Sequence, residues 1–380
     1  MNVFWFRRDL RLLDNTALNS LAQRKEPITC IFIFTPTQLK HNPFYSERSF
    51  QFMCESLLEL RELLRKRGGD LSFFYGEPLD ILKSLDLKTL AFNQDYTPYS
   101  IERDKKVHDY CIKHEIECIM EEDVLLANMG TFVKKDEKPY VVFTAFKNKA
   151  LQYTPRDPHT TSANFLSYPS SYEPKIPQHD QLRGGRKQGL VHLRRPFTRD
   201  MQRPMELSPY MKYGCVSIRE AYKVNDDEEF RTQLIWREFF YYLTFYFPRV
   251  LKERSSFKSD PITWVDDPVG WKNWTEGTTG IPLVDASMRQ LNQTGFMTNR
   301  GRLVTANYLT RTLKIDWRKG EQYFATHLID YDPSINNGNW QWVAGTGADR
   351  APYAQRIMNP ILQAKKHDPK HEFVDEWLKE

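Results

Sequence analysis

Five short apolar runs, at Asn2–Phe6, Cys30–Phe34, Leu71–Phe74, Thr89–Phe92 and Ile116–Met120, punctuate the first 120 residues, with helical patterns between them. Each run is too short for a buried helix and reads as a strand covered on both faces. Between two of them, Ser46–Lys66 sets Phe50, Met53, Leu57, Leu60 and Leu64 three or four apart. That spacing makes one helix face, and Gly68-Gly69 should end it. Pro78–Leu85 and Glu102–His114 read as further helices. Strand–helix alternation requires right-handed crossovers, so the expected unit is a doubly wound parallel sheet. No GxGxxG follows any strand, which excludes the dehydrogenase type of dinucleotide fingerprint.

The pattern then changes. Residues 126–200 show little periodicity and much Pro, Ser, His and Gly, the composition of an interdomain connection. From Ser208 the signals are helical: Ser208-Pro209 reads as an N-cap followed by proline, and Asp226–Glu229 places acids where a helix dipole favours them. A chain of 380 residues suits two cores. The expected layout is therefore α/β plus all-α: an α/β domain over 1–125, a linker over 126–200 and an all-helical domain over 201–380.

Several classes fall away. No apolar run reaches the roughly 20 residues that span a bilayer, and Arg7, Arg8, Asp9 and Arg11 stand where a signal peptide needs an apolar stretch. An intracellular protein is expected, in cytoplasm or nucleus, with no membrane partner. The five cysteines form no CxxC, so no metal site is expected. The net charge of +5 equals the excess within 181–200 alone, where six Lys/Arg meet one Asp. Such a cluster is either a solvated linker or a surface for phosphates.

The helical half places chemistry-bearing residues together. Gln233 and Trp236 share a helix face, as do Asn299, Arg302 and Leu303. Asp330 and Asp332 precede NNGNWQW, read as a polar turn holding Asn336, Trp340 and Trp342. These residues suit either a polar pocket with aromatic walls for a planar ligand or an ordinary salt-bridged helical core.

Longer motifs decide between them. FWFRRDLRLLDNTAL, LSPYMKYGCVSIRE, LIWREFF, TEGTTGIPLVDASMRQLNQTGFMTNRGRL and IDWRKGEQYFATHLIDYDPSINNGNWQW resemble the photolyase/cryptochrome family over nearly the whole chain, most like a class I-type photolyase. The resemblance implies an antenna-type α/β domain, an FAD-binding helical domain, and a monomer acting on UV-damaged DNA. The active cofactor would be FADH⁻, with a second antenna chromophore of open identity. Light-driven splitting of cyclobutane pyrimidine dimers is the function implied; a blue-light sensor without repair and, less so, a (6-4) photolyase are the alternatives.

Residue by residue, Arg302 and Asp330 match the family's flavin-side ion pair, Asp332 the carboxylate beside the isoalloxazine, and Asn336 the position facing flavin N5. Leu207, Ser208, Phe230 and Arg237 match positions around the phosphates and ring. Trp340, Trp317 and Trp264 match the tryptophan chain that brings electrons from the surface. Trp236 and Trp342 match the lesion's aromatic walls, Asn299 a residue touching flavin and lesion, and Arg300 a phosphate contact. A (6-4) enzyme needs two histidines where this sequence has Asn299 and Leu303, and neither can shuttle a proton.

The sequence departs from the family at four places. Pro204 and Met205 replace the Thr-Ser that serves the pyrophosphate, which points to Arg194 or Arg195 as a substitute partner. Gln233 replaces the glutamate of dimer-repairing members. Tyr99 and Ser100 replace the Asn-Glu of folate-antenna members. The chain stops at EFVDEWLKE, where relatives continue.

Overall fold

A computed structural model describes residues 1–198, 200–202, 204–259, 263–348 and 358–379. Its first half is a parallel sheet of β1 (Asn2–Phe6), β2 (Ile28–Phe34), β3 (Leu71–Tyr75), β4 (Thr89–Asn93) and β5 (Glu117–Glu121), in the order β3-β2-β1-β4-β5. All five apolar runs are strands. β1 is central, and its register sets Asn2 beside Ile28 of β2 and Thr89 of β4. The order reverses beside β1, where strand C-terminal ends leave a crevice in doubly wound sheets. The loop leaving β1 there carries Arg7–Arg11 toward the second half of the chain.

The amphipathic segment forms the Glu47–Arg65 helix, capped by Ser46, whose hydroxyl accepts from the Ser49 amide. Its Phe50, Met53, Leu57, Leu60 and Leu64 are buried in one core with β1–β3 and with Leu207, Tyr210 and Tyr213 of the helical half. The two halves thus share apolar surface.

The expected linker carries structure. A two-residue strand, β6 (Phe165–Leu166), pairs in parallel with Ile28 and Thr29 of β2. The helix Phe143–Ala150 packs Phe146 on Phe239 and Tyr242, with ring centroids at 5.3 and 5.1 Å. The basic stretch contains the helix Arg186–Leu193, and it spends charge on carboxylates: Arg183 on Glu55, Arg186 on Glu220 and Arg195 on Glu206. Its Arg199 lies outside the described residues.

Beyond it come the helices Ser208–Lys212, Glu228–Tyr246, Pro282–Thr294, Asn299–Asn307, Trp317–His327 and Pro333–Ala344, among others. Two expectations are corrected. Ser208 does not cap: Leu207 holds the N-cap position, and the Ser208 hydroxyl donates instead to Asp330 Oδ2 at 2.5 Å. NNGNWQW is not a turn but the body of Pro333–Ala344. Asp332 caps it by accepting from the Ser334 and Ile335 amides at 3.0 and 3.1 Å, and Pro333 presets its first turn. Buried amides then keep poor helix formers in place, Asn337 donating to Glu321 Oε1 at 2.9 Å. Gly338 is needed because a Cβ there would lie 2.2 Å from the Phe240 ring.

Candidate active site

The helical half encloses a cavity of about 500 Å³, within the range in which proteins bury planar cofactors. It receives Leu207, Ser208, Phe230, Gln233, Trp236, Arg237, Asn299, Arg300, Arg302, Leu303, Asp330, Asp332, Asn336, Trp340 and Trp342. Of the residues matched to the family's flavin, lesion and tryptophan-chain positions, Trp317 and Trp264 stay outside its wall. Trp317 is buried behind it, and Trp264 packs on the same apolar cluster nearer the surface.

One side is charged. Arg302 Nη2 lies 2.8 Å from Asp330 Oδ2, and Arg302 Nε donates to the Met297 carbonyl at 2.9 Å. Helix Asn299–Asn307 aims Arg302 inward because Thr298 caps it, accepting from the Gly301 amide. Asp330 Oδ1 is buried and has no hydrogen-bond partner among the described residues. An orphaned carboxylate oxygen of this kind is costly unless a ligand donates to it.

Asp332 has no such vacancy. Arg8 and Tyr241 donate to its Oδ2, the hydroxyl at 2.5 Å. Burial alone would push its carboxyl up, but the Arg8 guanidinium and the Tyr241 hydroxyl hold it below the usual carboxylate range. Arg8 also lies 3.3 Å from Asp95 Oδ2 and donates to the Lys212 carbonyl at 3.3 Å. Asn336 donates to the Glu321 carbonyl at 3.1 Å, leaving its amide oxygen for other use.

Another part of the wall is aromatic. Trp236 and Trp342 meet edge to face, centroids 6.2 Å apart and planes at 79°. Trp340, 2% exposed, touches Phe324 at 4.9 Å and Trp274 at 6.3 Å. A Cβ on Gly320 would fall 2.3 Å from Trp340, so glycine there lets the ring approach. Arg300 donates to Gln363 Oε1 at 3.1 Å beside the cavity.

The substitute pyrophosphate partners are corrected. Arg194 and Arg195 are exposed and outside the wall, and Arg195 donates to Glu206 at 2.9 Å. A carboxylate eleven residues downstream took the charge. Pro204 and Met205 do line the cavity. Sequence reasoning missed Lys212 and Arg8, although both lie inside the motifs LSPYMKYG and FWFRRDL. In the α/β half Tyr99 is exposed, while Ser100 is buried and donates to Asp95 Oδ2 at 3.3 Å.

Apolar walls for rings, an unpaired acceptor and several cations together fit a dinucleotide such as FAD. Comparison with known proteins agrees. A family model described as DNA photolyase matches residues 2–163, and one described as the FAD binding domain of DNA photolyase matches residues 230–380. The deoxyribodipyrimidine photo-lyase of Halobacterium salinarum is 31% identical, the alignment covering 100% of this chain and 89% of the relative. That of Escherichia coli is 32% identical over 100% and 89%. Among solved structures, the archaeal photolyase from Sulfolobus tokodaii, described with two FAD molecules, superposes with a TM-score of 0.92 at 39% identity, covering 100% of this chain and 90% of that one. A Synechocystis cryptochrome gives 0.88 at 27%, covering 100% and 88%.

Proposed function

The chain belongs to the DNA photolyase family, and on that premise we propose that it uses light and a bound FAD to split cyclobutane pyrimidine dimers in DNA. The observation that carries the reading is one cavity whose wall holds both the Arg302–Asp330 pair, with an unpartnered Asp330 oxygen, and the Trp236–Trp342 corner. A bound FAD, reduced and excited by light, supplies the electron that opens the cyclobutane ring and takes it back, with no net redox change.

The side chains do the rest. Arg302, Asp330, Asn336, Arg237, Phe230, Leu207 and Ser208 hold the cofactor, and Asp330 Oδ1 accepts from it. A damaged base pair stacks poorly and flips out at reduced cost, and the Trp236–Trp342 corner receives it. Gln233 and Asn299 offer amide N–H donors to base carbonyls, and Arg300 turns to a backbone phosphate. Leu303 and Asn299 carry no proton between pH 5 and 9, which favours a dimer over a (6-4) product. Trp340, Trp317 and Trp264 supply electrons that keep the cofactor reduced. A light-gathering chromophore in the α/β domain completes the proposal, and the Sulfolobus tokodaii protein with two FAD molecules is the precedent. The protein would work as a monomer inside the cell, where damaged DNA is; among the described residues no helix is long and apolar enough to cross a membrane.

The test is an oligonucleotide bearing one thymine dimer, exposed to purified, reduced protein under blue light. Restored thymines in light and none in darkness are expected. Intact dimers in light, with the flavin reduced, would leave the sensor reading standing instead.

A further inference from the structure

The cations around the cavity differ in what they are paired with. Arg302 is paired with Asp330, and Arg8 with Asp95 and Asp332. Lys212 is not paired with any carboxylate among the described residues. Its Nζ donates to the Ser49 hydroxyl at 2.8 Å, the Tyr213 hydroxyl at 2.9 Å and, more loosely, the Ile329 carbonyl at 3.4 Å. The Tyr213 ring lies beneath it, with Nζ 4.2 Å from the centroid. Lys212 is half-buried and lines the cavity.

The groups around it come from four directions. The Glu47–Arg65 helix brings Ser49, the loop after β1 brings Arg8, and its own helix end brings Tyr213. The stretch ahead of Pro333–Ala344 brings Asp330 and Asp332, both already bonded to other donors. Burial, then the Arg8 charge, outweighs those carboxylates and draws the Lys212 ammonium down to about 7, against roughly 10.4 for a free lysine. Near neutral pH its charge is therefore only partly present.

We propose that Lys212 is the proton-linked counter-charge of the cofactor: it lines the cavity with no carboxylate paired to it among the described residues, and it completes its protonation when an anion occupies the site. The inference rests on the reading of the cavity as the FAD site. The proton comes from solvent to the Nζ lone pair, and no covalent bond to the ligand forms. An anion nearby favours the charged form, so tighter binding and proton uptake are one equilibrium seen from two sides.

The sign follows. A lysine whose bound-state pKa exceeds its unliganded value contributes fully below about pH 7 and loses that contribution as pH rises toward the bound value. The holoprotein is diluted at pH 6 to 9, and released flavin is read by its fluorescence. In the parent chain the dissociation constant should rise above pH 7, with a slope approaching tenfold per unit. Lys212→Arg should retain FAD across the range with that slope removed, because a guanidinium keeps its proton. Lys212→Met should bind more weakly at pH 7 and respond little to pH. Glu238, buried and pushed up to about 8, titrates in the same window, but it does not line the cavity and is common to all three chains. Equal slopes in the parent and Lys212→Arg would overturn the inference, as would FAD retention by Lys212→Met equal to the parent at pH 7. A parent chain holding no flavin at any pH would bring down the cofactor reading itself, and this inference with it.

Discussion

Arg8, in the loop that leaves β1, donates to the carboxylate of Asp332, 324 residues further along the chain. The same guanidinium donates to the Tyr241 hydroxyl at 2.9 Å. One side chain of the α/β half therefore helps hold Asp332 ionised, and that Asp332 also caps the helix that carries Asn336, Trp340 and Trp342. A buried carboxylate is tolerated where its counter-charge is fixed, and here the fixing group crosses the domain boundary.

Arg8→Met should then cost about 3–5 kcal/mol, the range for leaving a buried charge without its partner. The depressed Asp332 carboxyl contributes stability above its unfolded pKa of about 4 and loses it as pH falls toward the lower folded value. The variant has less of that contribution to lose. Denaturant unfolding at pH 7 and pH 3.5 should show the gap between parent and variant narrowing in acid. A gap of constant size would mean that Arg8 does not hold Asp332 ionised.

Asp330→Ala removes the acceptor of both Arg302 and Ser208 and the free oxygen offered to a ligand. The purified variant should be colourless or unstable, read as flavin absorbance per unit of protein. Full flavin occupancy would remove Asp330 from the cofactor site.

Trp340→Phe keeps a buried aromatic ring on the cavity wall, so the fold should be kept. Light-driven reduction of oxidised FAD should be blocked, while chemically reduced protein should still repair. Photoreduction at the parent rate would point to another route, and the rings in contact with Trp340 name one: Trp274 at 6.3 Å, itself stacked on Trp271 at 5.5 Å.

The proposed lesion choice rests on Gln233, Asn299 and Leu303, all on the cavity wall. Thymine dimers should be restored and (6-4) products left intact in the same irradiated duplex. Gln233→Glu should keep or improve dimer repair. Efficient (6-4) repair would overturn the argument that this face needs a proton carrier.

The sheet was legible because hydrophobic periodicity is local. Asn2–Phe6 matches its strand to the residue, and Ser46 caps the helix that its spacing announced. The face shared by Asn299, Arg302 and Leu303 was legible for the same reason. What escaped depended on partners distant in sequence. Ser208 looked like a cap until Asp330, 122 residues on, claimed its hydroxyl. NNGNWQW looked like a turn because Asn and Gly are poor helix formers, and only Glu321, Phe240 and the Asp332 cap show why the helix survives. Arg195 looked available because a charge run does not reveal Glu206. Lys212 gave no signal, since its lowered pKa comes from burial beside Arg8.

A residue of the connecting segment offers the last test. Phe143 and Trp236 overlap face to face, with centroids 3.5 Å apart and planes 7° from parallel. Aromatic pairs left to themselves prefer offset or edge contact, so something else imposes the overlap. Phe143 opens the Phe143–Ala150 helix, whose Phe146 is fully buried against Phe239 and Tyr242. That anchor places Phe143 beside Trp236. Phe143 lines a small crevice of about 20 Å³ behind Trp236 and Trp342, and it is absent from the wall of the large cavity. Phe143 covers one face of Trp236, and under the proposed function it would hold that ring in place before DNA arrives. Losing that restraint moves the ordering of one side chain into the binding step, at about 0.5–1.5 kcal/mol, or roughly two- to tenfold in affinity. Phe143→Ala should weaken binding of a dimer-containing strand by that factor while flavin content and affinity for undamaged DNA stay as they were. Phe143→Tyr, which keeps the ring, should restore the parent value. If Phe143→Ala discriminates damaged from undamaged DNA as the parent does while Trp236→Ala does not, Phe240 and Trp342 suffice to hold the platform.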